Sequence, residues 1–435
     1  MKWAILGGGL TGIVLAHLLE AAGHETIVLE KEERFGGLCR SKTESGFTFD
    51  IGGSHILFSR DTEALDLLLS ALASNRDQRH RATKIYYKGR YVKYPFENGL
   101  AELPKEDCFF CINEFIKTLI AAEKGELAPP ENFRDWIYAT FGKGIAETYM
   151  VPYNEKIWNF PAERMSAHWV EGRIPRPPVE DIIKSAVGIE TEGYTHQAVF
   201  SYPVEGGIEA LITALAASVA GPVRTGFAVR SVRRDGDGFA ISDGSEVIRA
   251  DRCISTIPVQ ALLPCCSDVP PAVRQAADSL QYNSLCCVCI GVKGEVPPYS
   301  WLYVPEKELG LFNRVSFPSG YSTRTAPPGH SSVLVEITYN AGDAADAMSD
   351  DAITAHAVDG LAAMGILDPA DVVYTSVERQ QFAYVVYDLA YRDNIAKIRA
   401  FCRERGIDCV GRFSEFEYLN MDGCVRHAID FVRGL

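Results

Sequence analysis

Trp3-Ala-Ile-Leu6, Gly7-Gly8-Gly9-Leu10-Thr11-Gly12, the apolar-periodic stretch Ile13–Ala22, Gly23, and Thr26-Ile-Val-Leu29-Glu30 decide the fold of this chain. The first four residues read as a short buried strand. Gly7 permits a tight turn, Gly9 lets the backbone approach a pyrophosphate, and Gly12 lets helix and strand pack closely. The helix that follows points its N-terminus at the phosphates, and Gly23 closes it. Glu30 ends the second strand about 20 residues after the glycines, where a carboxylate accepts hydrogen bonds from a ribose diol. Strand, G-x-G-x-x-G, helix, strand and acid in one unit predict a dinucleotide-binding α/β fold.

Composition narrows what such a fold can serve. At 435 residues the chain exceeds one typical core, so two or three domains are expected. A net charge of −14 argues against nonspecific nucleic-acid binding, and an anionic substrate needs a local basic pocket set against that field. The longest apolar runs, such as Ala4–Leu6 and Ile13–Leu19, fall short of a membrane span. No basic segment precedes an apolar one at the N-terminus, so a cytoplasmic location is expected. The twelve cysteines then read as reduced core thiols. Cys108-x-x-Cys111 and Cys286-Cys287-x-Cys289 have neither a nearby histidine nor a second spaced pair, so no metal site is expected.

Further glycine pairs follow the first unit: Arg34-Phe-Gly36-Gly37-Leu38, then Phe49-Asp-Ile-Gly-Gly53-Ser54-His55. Two such pairs resemble the FAD-binding proteins of the glutathione-reductase and amine-oxidase type, in which the second wraps the flavin. Downstream, Tyr202-Pro-Val-Glu-Gly-Gly207 precedes a helix over Glu209–Val219. Ala228–Val232 reads as a strand near the adenine, Phe239–Ile241 and Glu246–Ile248 as a meander, and Arg252–Ile257 as the return strand. Val410-Gly411-Arg412-Phe413 precedes Tyr418, Asp422 and a last helix, Cys424–Val432. The expected cofactor residues are Gly7, Gly9, Leu10, Thr11, Gly12, Glu30, Lys31, Gly36, Gly37, Leu38, Gly53, Ser54, His55, Val232, Gly411, Arg412 and Asp422.

Between these pieces lie Tyr94-Pro-Phe-Glu-Asn98, Leu103-Pro-Lys-Glu-Asp107, Pro152-Tyr-Asn-Glu-Lys-Ile-Trp158, Trp169-Val-Glu-Gly-Arg173, Trp301-Leu-Tyr303, Phe312–Ser316 and Gly411–Tyr418. Seven elements in this order resemble the UDP-galactopyranose mutase family, especially its eukaryotic-type branch. The resemblance implies a non-redox reaction on a redox cofactor. N5 of the reduced flavin attacks the anomeric carbon and displaces UDP, and the flavin–sugar adduct opens, recloses as the furanose and recombines with UDP. It implies FAD as cofactor, NADPH or NADH as reductant, a UDP-sugar as partner and a role in cell-surface polysaccharide synthesis. The oligomeric state stays open, a homodimer being one arrangement.

Carried over residue by residue, the resemblance assigns Arg173 and Arg314 to the diphosphate, where a guanidinium fork suits phosphate better than an ammonium. It places His55 at the flavin edge, Arg412 near the ring, and the hydroxyls of Tyr303, Tyr384 and Tyr418 on the phosphates. Asn154 and Trp158, one helical turn apart, share a face toward the nucleotide. Tyr94, Glu97 and Tyr149 fall to the base, with Tyr149 able to stack on uracil. The chain departs from the pattern at four places: Ser54 intervenes before His55, Val385 follows Tyr384, Gly423 follows Asp422, and Glu97 stands where an amide meets uracil. A carboxylate accepts but does not donate, which suits a base presenting N–H donors, such as guanine.

The expected architecture is a discontinuous FAD-binding domain over 1–83, 195–284 and 386–435, a helical domain over 104–190, and an antiparallel-sheet substrate domain over 84–103 and 285–385. The helical domain carries Cys108–Glu123, Asn132–Phe141 and one helix over 143–158, and ends at Pro175–Pro178. The active site falls where the domains meet. Two other readings share this cofactor fold: an oxidase of the amine-oxidase or protoporphyrinogen-oxidase kind, and a flavin-binding scaffold without activity.

Overall fold

A computed structural model describes residues 1–170, 174, 176–191 and 198–435. Its centre is a five-stranded parallel sheet, in the order Ile407–Cys409, Arg252–Ser255, Lys2–Leu6, Glu25–Leu29, Val223–Arg224. Lys2–Leu6 lies in the middle, and its side chains alternate between two cores, as a period of two demands. Trp3 and Ile5 pack against the helices Leu10–Ala21, Thr62–Leu72, Glu209–Ala216 and Met421–Arg433. Ala4 and Leu6 face the meander Ser231–Asp235, Gly238–Ser242, Val247–Ala250 and the helices Pro271–Ser279 and Tyr391–Glu404. Burial on both faces is why Trp3–Leu6 reads as an unbroken apolar run.

A second sheet of seven strands runs Val372–Val386, Gln281–Lys293, His330–Tyr339, Arg314–Ser316, Trp301–Tyr303, Thr83–Tyr87, Arg90–Lys93. It is antiparallel except where Trp301–Tyr303 pairs parallel with Thr83–Tyr87. One face packs on the helix Asp350–Ala363, and the other meets Phe47 and Phe49 of the cofactor region.

The third region holds the helices Lys105–Glu123, Phe133–Ile145, Val151–Trp158 and Val179–Ala186 around an aromatic core. The helix Phe133–Ile145 starts with the Asn132 side chain accepting from the Asp135 N–H at 2.9 Å. Residues 143–158 are helical as expected, with a wide turn inside the run. The kink falls just before it, at Gly142, which takes φ 73° and where a Cβ would lie 2.8 Å from Glu114 O. A wide π-type turn, Ala146–Met150, then precedes the helix Val151–Trp158. Pro152 has no N–H to continue the ladder, so the helix restarts with proline in its first turn.

Other boundaries also shift. The strand expected at Ala228–Val232 begins at Ser231, and within the motif Phe312–Ser316 a strand spans Arg314–Ser316. Among the described residues no helix is long and apolar enough to cross a membrane.

Candidate functional site

A cavity of about 620 Å³ opens at the C-terminal edge of the parallel sheet and runs to the seven-stranded sheet. Its size is typical of a buried ligand cleft. At one end the glycine turn and Glu30 form a cradle. Gly7 has φ +103°, and a Cβ on Gly12 would sit 2.0 Å from Gly7 O. The Glu30 carboxylate accepts from Gly8 N at 2.8 Å and Glu32 N at 3.0 Å, which ties the turn to the second strand. Gly36 N donates to Gly8 O at 2.8 Å, so the second glycine pair lies beside the first. The helix Leu10–Ala21 begins without a side-chain cap or an acidic residue, and its free N–H groups suit an anion.

Gly7, Gly9, Leu10, Thr11, Glu30, Lys31, Gly36, Gly37, Leu38, Ser54, His55, Arg412 and Asp422 line this cavity. Gly12, Gly53 and Gly411 act from behind its wall. Gly411 takes φ +93°, and a Cβ there would meet Thr11 Oγ1 at 2.6 Å. Val232 corrects the expectation. It is buried in the core opposite Ile241, while Val229 lines the cavity, because the strand begins three residues later than its apolar run suggested.

Midway, His55 Nδ1 bonds Gly53 O at 2.7 Å. Burial, with Arg314 and Arg412 nearby, pushes its pKa down to about 4. The ring is therefore neutral: Nδ1–H donates to the carbonyl, and Nε2 is left as an acceptor. Ser54, the residue that breaks the expected register, donates its backbone N–H to Glu336 Oε1 at 3.0 Å and bonds Tyr321 through its hydroxyl at 2.8 Å. Arg412 donates to Leu419 O at 3.0 Å and to Ala383 O, and sits over the rings of Tyr418 and Tyr384 at 4.7 and 5.2 Å. Its Nε is buried without a partner among the described residues.

At the far end the wall is aromatic and cationic. Tyr94 and Tyr303 lie 5.1 Å apart, and Arg81 stacks over Trp301 and Tyr94 at 4.6 and 4.9 Å. Tyr384 and Tyr418 close the opposite side, 5.9 Å apart. Arg314 reaches this end and makes a two-pronged pair with the fully buried Glu336, Nε to Oε1 at 2.8 Å and Nη2 to Oε2 at 2.6 Å. Burial disfavours the charge on Arg314, and the Glu336 carboxylate more than restores it, so Arg314 stays a guanidinium.

Asn154 and Trp158 share one helical face, and Trp158 Nε1 donates to Asn154 Oδ1 at 3.2 Å. They sit one layer behind the cavity: Trp158 packs edge-on against Tyr418 at 5.2 Å and Tyr384 at 6.0 Å. Tyr149 stacks between Phe96 at 4.7 Å and Tyr153 at 5.2 Å, so protein rings rather than an open face occupy it. Glu97 is buried, its carboxyl has no side-chain partner among the described residues, and burial pushes its pKa up to about 7. Arg173 lies outside the described residues, as does Pro175.

Arg81, Trp301, Val229 and Glu336 were not among the expected residues. Trp301 was within reach of sequence reasoning, since strand side chains two apart share a face and Tyr303 was already assigned. Glu336 interrupts the apolar run Val333–Tyr339, and a carboxylate there calls for a buried cation. Arg81 and Val229 carry no comparable signal.

The glycine cradle, the uncapped helix start and the orphaned Arg412 Nε fit a flavin dinucleotide: diphosphate at the helix, ribose at Glu30, ring system near His55 and Arg412. Among the described residues no group of three or more His, Cys, Asp or Glu could hold a metal ion.

The sequence matches the family described as flavin containing amine oxidoreductase over residues 10–429. A crystal structure of reduced UDP-galactopyranose mutase superposes with TM-score 0.89 at 28% identity, covering 99% of this chain and 93% of that one. The UDP-galactopyranose mutase of Mycoplasma pneumoniae is 26% identical over 183 residues, 39% of this chain and 43% of that protein. A putative protoporphyrinogen oxidase from Exiguobacterium sp. 255-15 shares the fold, with TM-score 0.77 at 18% identity, covering 100% of this chain and 98% of that one. The curated relatives are matched over 11% to 66% of their own length.

Proposed function

The chain belongs to the flavin containing amine oxidoreductase family, and from that premise we propose that it is an FAD-dependent nucleotide-sugar mutase that interconverts pyranose and furanose forms of a UDP-sugar. One observation carries the reading. In a protein of net charge −14, the guanidiniums of Arg81 and Arg314 gather with four tyrosines at the end of the cavity away from the glycine cradle, and Arg412 sits over two of those rings. Apolar or amine substrates have no use for such a cluster; a diphosphate has.

Reduced FAD, when bound, supplies a nucleophile for the anomeric carbon. The protein's part is to hold the leaving group and exclude water. Arg314, kept charged and oriented by Glu336, pairs with the diphosphate, and Arg173 is assigned beside it. The hydroxyls of Tyr303, Tyr384 and Tyr418 add neutral donors, so the leaving diphosphate is stabilised without being expelled. Neutral His55 offers Nε2 as an acceptor beside the ring. Asn154 and Trp158 support the tyrosines from behind, and Tyr94 and Glu97 border the base.

Dithionite-reduced protein is expected to interconvert the pyranose and furanose forms of a UDP-sugar, with chromatography as the assay, and oxidised protein to do nothing. Equal turnover in both states sinks the reading, and substrate-dependent oxygen uptake assigns the chain to the oxidases of its family.

A further inference from the structure

The helix Val151–Trp158 carries Asn154 and Trp158, yet its last turn is fastened from behind by the seven-stranded sheet. The final carbonyls of a helix lack intrahelical partners. Here Lys156 O accepts Thr338 Oγ1 at 2.9 Å, and Asn159 O accepts Asn340 Nδ2 at 3.1 Å. Between them, Asn283 Nδ2 donates to both Ile157 O and Trp158 O, at 3.2 and 2.5 Å. Lys156 Nζ reaches the other way, to Val304 O at 3.1 Å and Glu306 O at 2.7 Å, just beyond Tyr303.

Asn283 is 1% exposed and sits opposite Tyr384 in the strand register, beside a bulge at 283–285. A bulge re-aims a side chain. Asn283 thus touches the backbone of Trp158 while its strand neighbour is Tyr384, the ring Trp158 packs against. On its other side the same helix follows the wide turn Ala146–Met150 and packs Tyr153 and Trp158 into the aromatic core of the helical region.

The geometry points to Asn283 as a positioning residue: it seats the site helix on the sheet and so sets Asn154 and Trp158 against Tyr384 and Tyr418 beside Arg314. As a claim about ligand binding this rests on the nucleotide-sugar reading; as a claim about the helix it does not.

Two measurements on the full-length FAD-loaded protein test it. In Asn283→Ala, backbone hydrogen exchange should quicken at least tenfold over 155–160, with exchange in Leu10–Ala21 and the visible flavin spectrum unchanged. Reduced Asn283→Ala should bind UDP at least tenfold more weakly, with kcat/KM lost through KM rather than kcat. Should Asn283→Ala fail to fold, Thr338→Val removes a neighbouring fastening and is read the same way. Unchanged exchange over 155–160 overturns the positioning role. Faster exchange in a protein whose wild type binds no nucleoside diphosphate keeps the positioning role and rejects the nucleotide-sugar reading.

Discussion

Arg314 and Glu336 form a two-pronged ion pair in which the carboxylate is wholly buried and the guanidinium faces the cavity. Glu336 also accepts the Ser54 backbone N–H, so one carboxylate ties the substrate-side arginine to the loop that carries His55. Removing Arg314 strands a buried charge, and removing Glu336 frees the guanidinium to reorient. Arg314→Ala should lower kcat/KM by about 10²–10³-fold, the scale of a lost donor to a developing anion. Glu336→Ala should cost stability as well, about 3 kcal/mol in denaturant unfolding. An Arg314→Ala enzyme with unchanged kcat/KM removes Arg314 from the diphosphate.

Glu97 offers a pH test. Burial raises its pKa from 4.5 to about 7, so the folded state holds a proton that the unfolded chain has released. Stability therefore falls as pH rises from 4.5 through about 7. Glu97→Gln should leave unfolding unchanged near pH ~4 and stabilise the protein near pH ~8, on the order of 2 kcal/mol. An ionised carboxylate presents two acceptors and an amide one donor and one acceptor, so the same variant should shift preference from GDP toward UDP by about tenfold. Titrations of the reduced protein with both nucleotides measure it; identical ratios detach Glu97 from the base.

Gly12 has no room for a side chain, since a Cβ would lie 2.0 Å from Gly7 O. Gly12→Ala must push the first helix off the first strand and widen the phosphate cradle. The purified variant should carry at least about tenfold less flavin, the equivalent of only ~1.4 kcal/mol of binding. Flavin absorbance relative to protein absorbance reads this directly.

His427 Nδ1 and Gly411 N both bond Glu415 Oε2, at 2.7 and 2.6 Å, so the last helix anchors the loop bearing Arg412. The bond to Glu415 raises the His427 pKa against the opposing effect of burial. Its stabilisation is complete below the ordinary histidine pKa of 6.5 and fades as pH climbs through the raised folded value. The Tm difference between wild type and His427→Gln should be larger near pH ~6 than near pH ~9; a gap that does not vary with pH rules out the pair.

What could be read from the sequence follows the range of the forces involved. Gly7, Gly9, Gly12 and Glu30 were legible because turn geometry and close packing are set within thirty residues. The wide turn before Val151 was hidden, because Pro152 announces a helix start as readily as it tolerates a first turn, whereas the kink at Gly142 falls between the two helices expected there. Val229 displaced Val232 because strand ends depend on pairing partners, here Ser242 and Ile241. Arg314 was legible as a charge, but its partner Glu336 arrives from a neighbouring strand.

The parallel sheet takes its strands from residues 2–6, 25–29, 223–224, 252–255 and 407–409. The strand Ile407–Cys409 lies at the sheet edge beside Arg252–Ser255, and the helix Met421–Arg433 packs against Leu10–Ala21, some four hundred residues upstream. A ribosome thus releases the glycine cradle some four hundred residues before the loop with Gly411 and Arg412 that completes it. Such long-range closure is slow and leaves apolar surface uncovered meanwhile. A complete cofactor cradle consequently waits until that distant loop has been made and folded back.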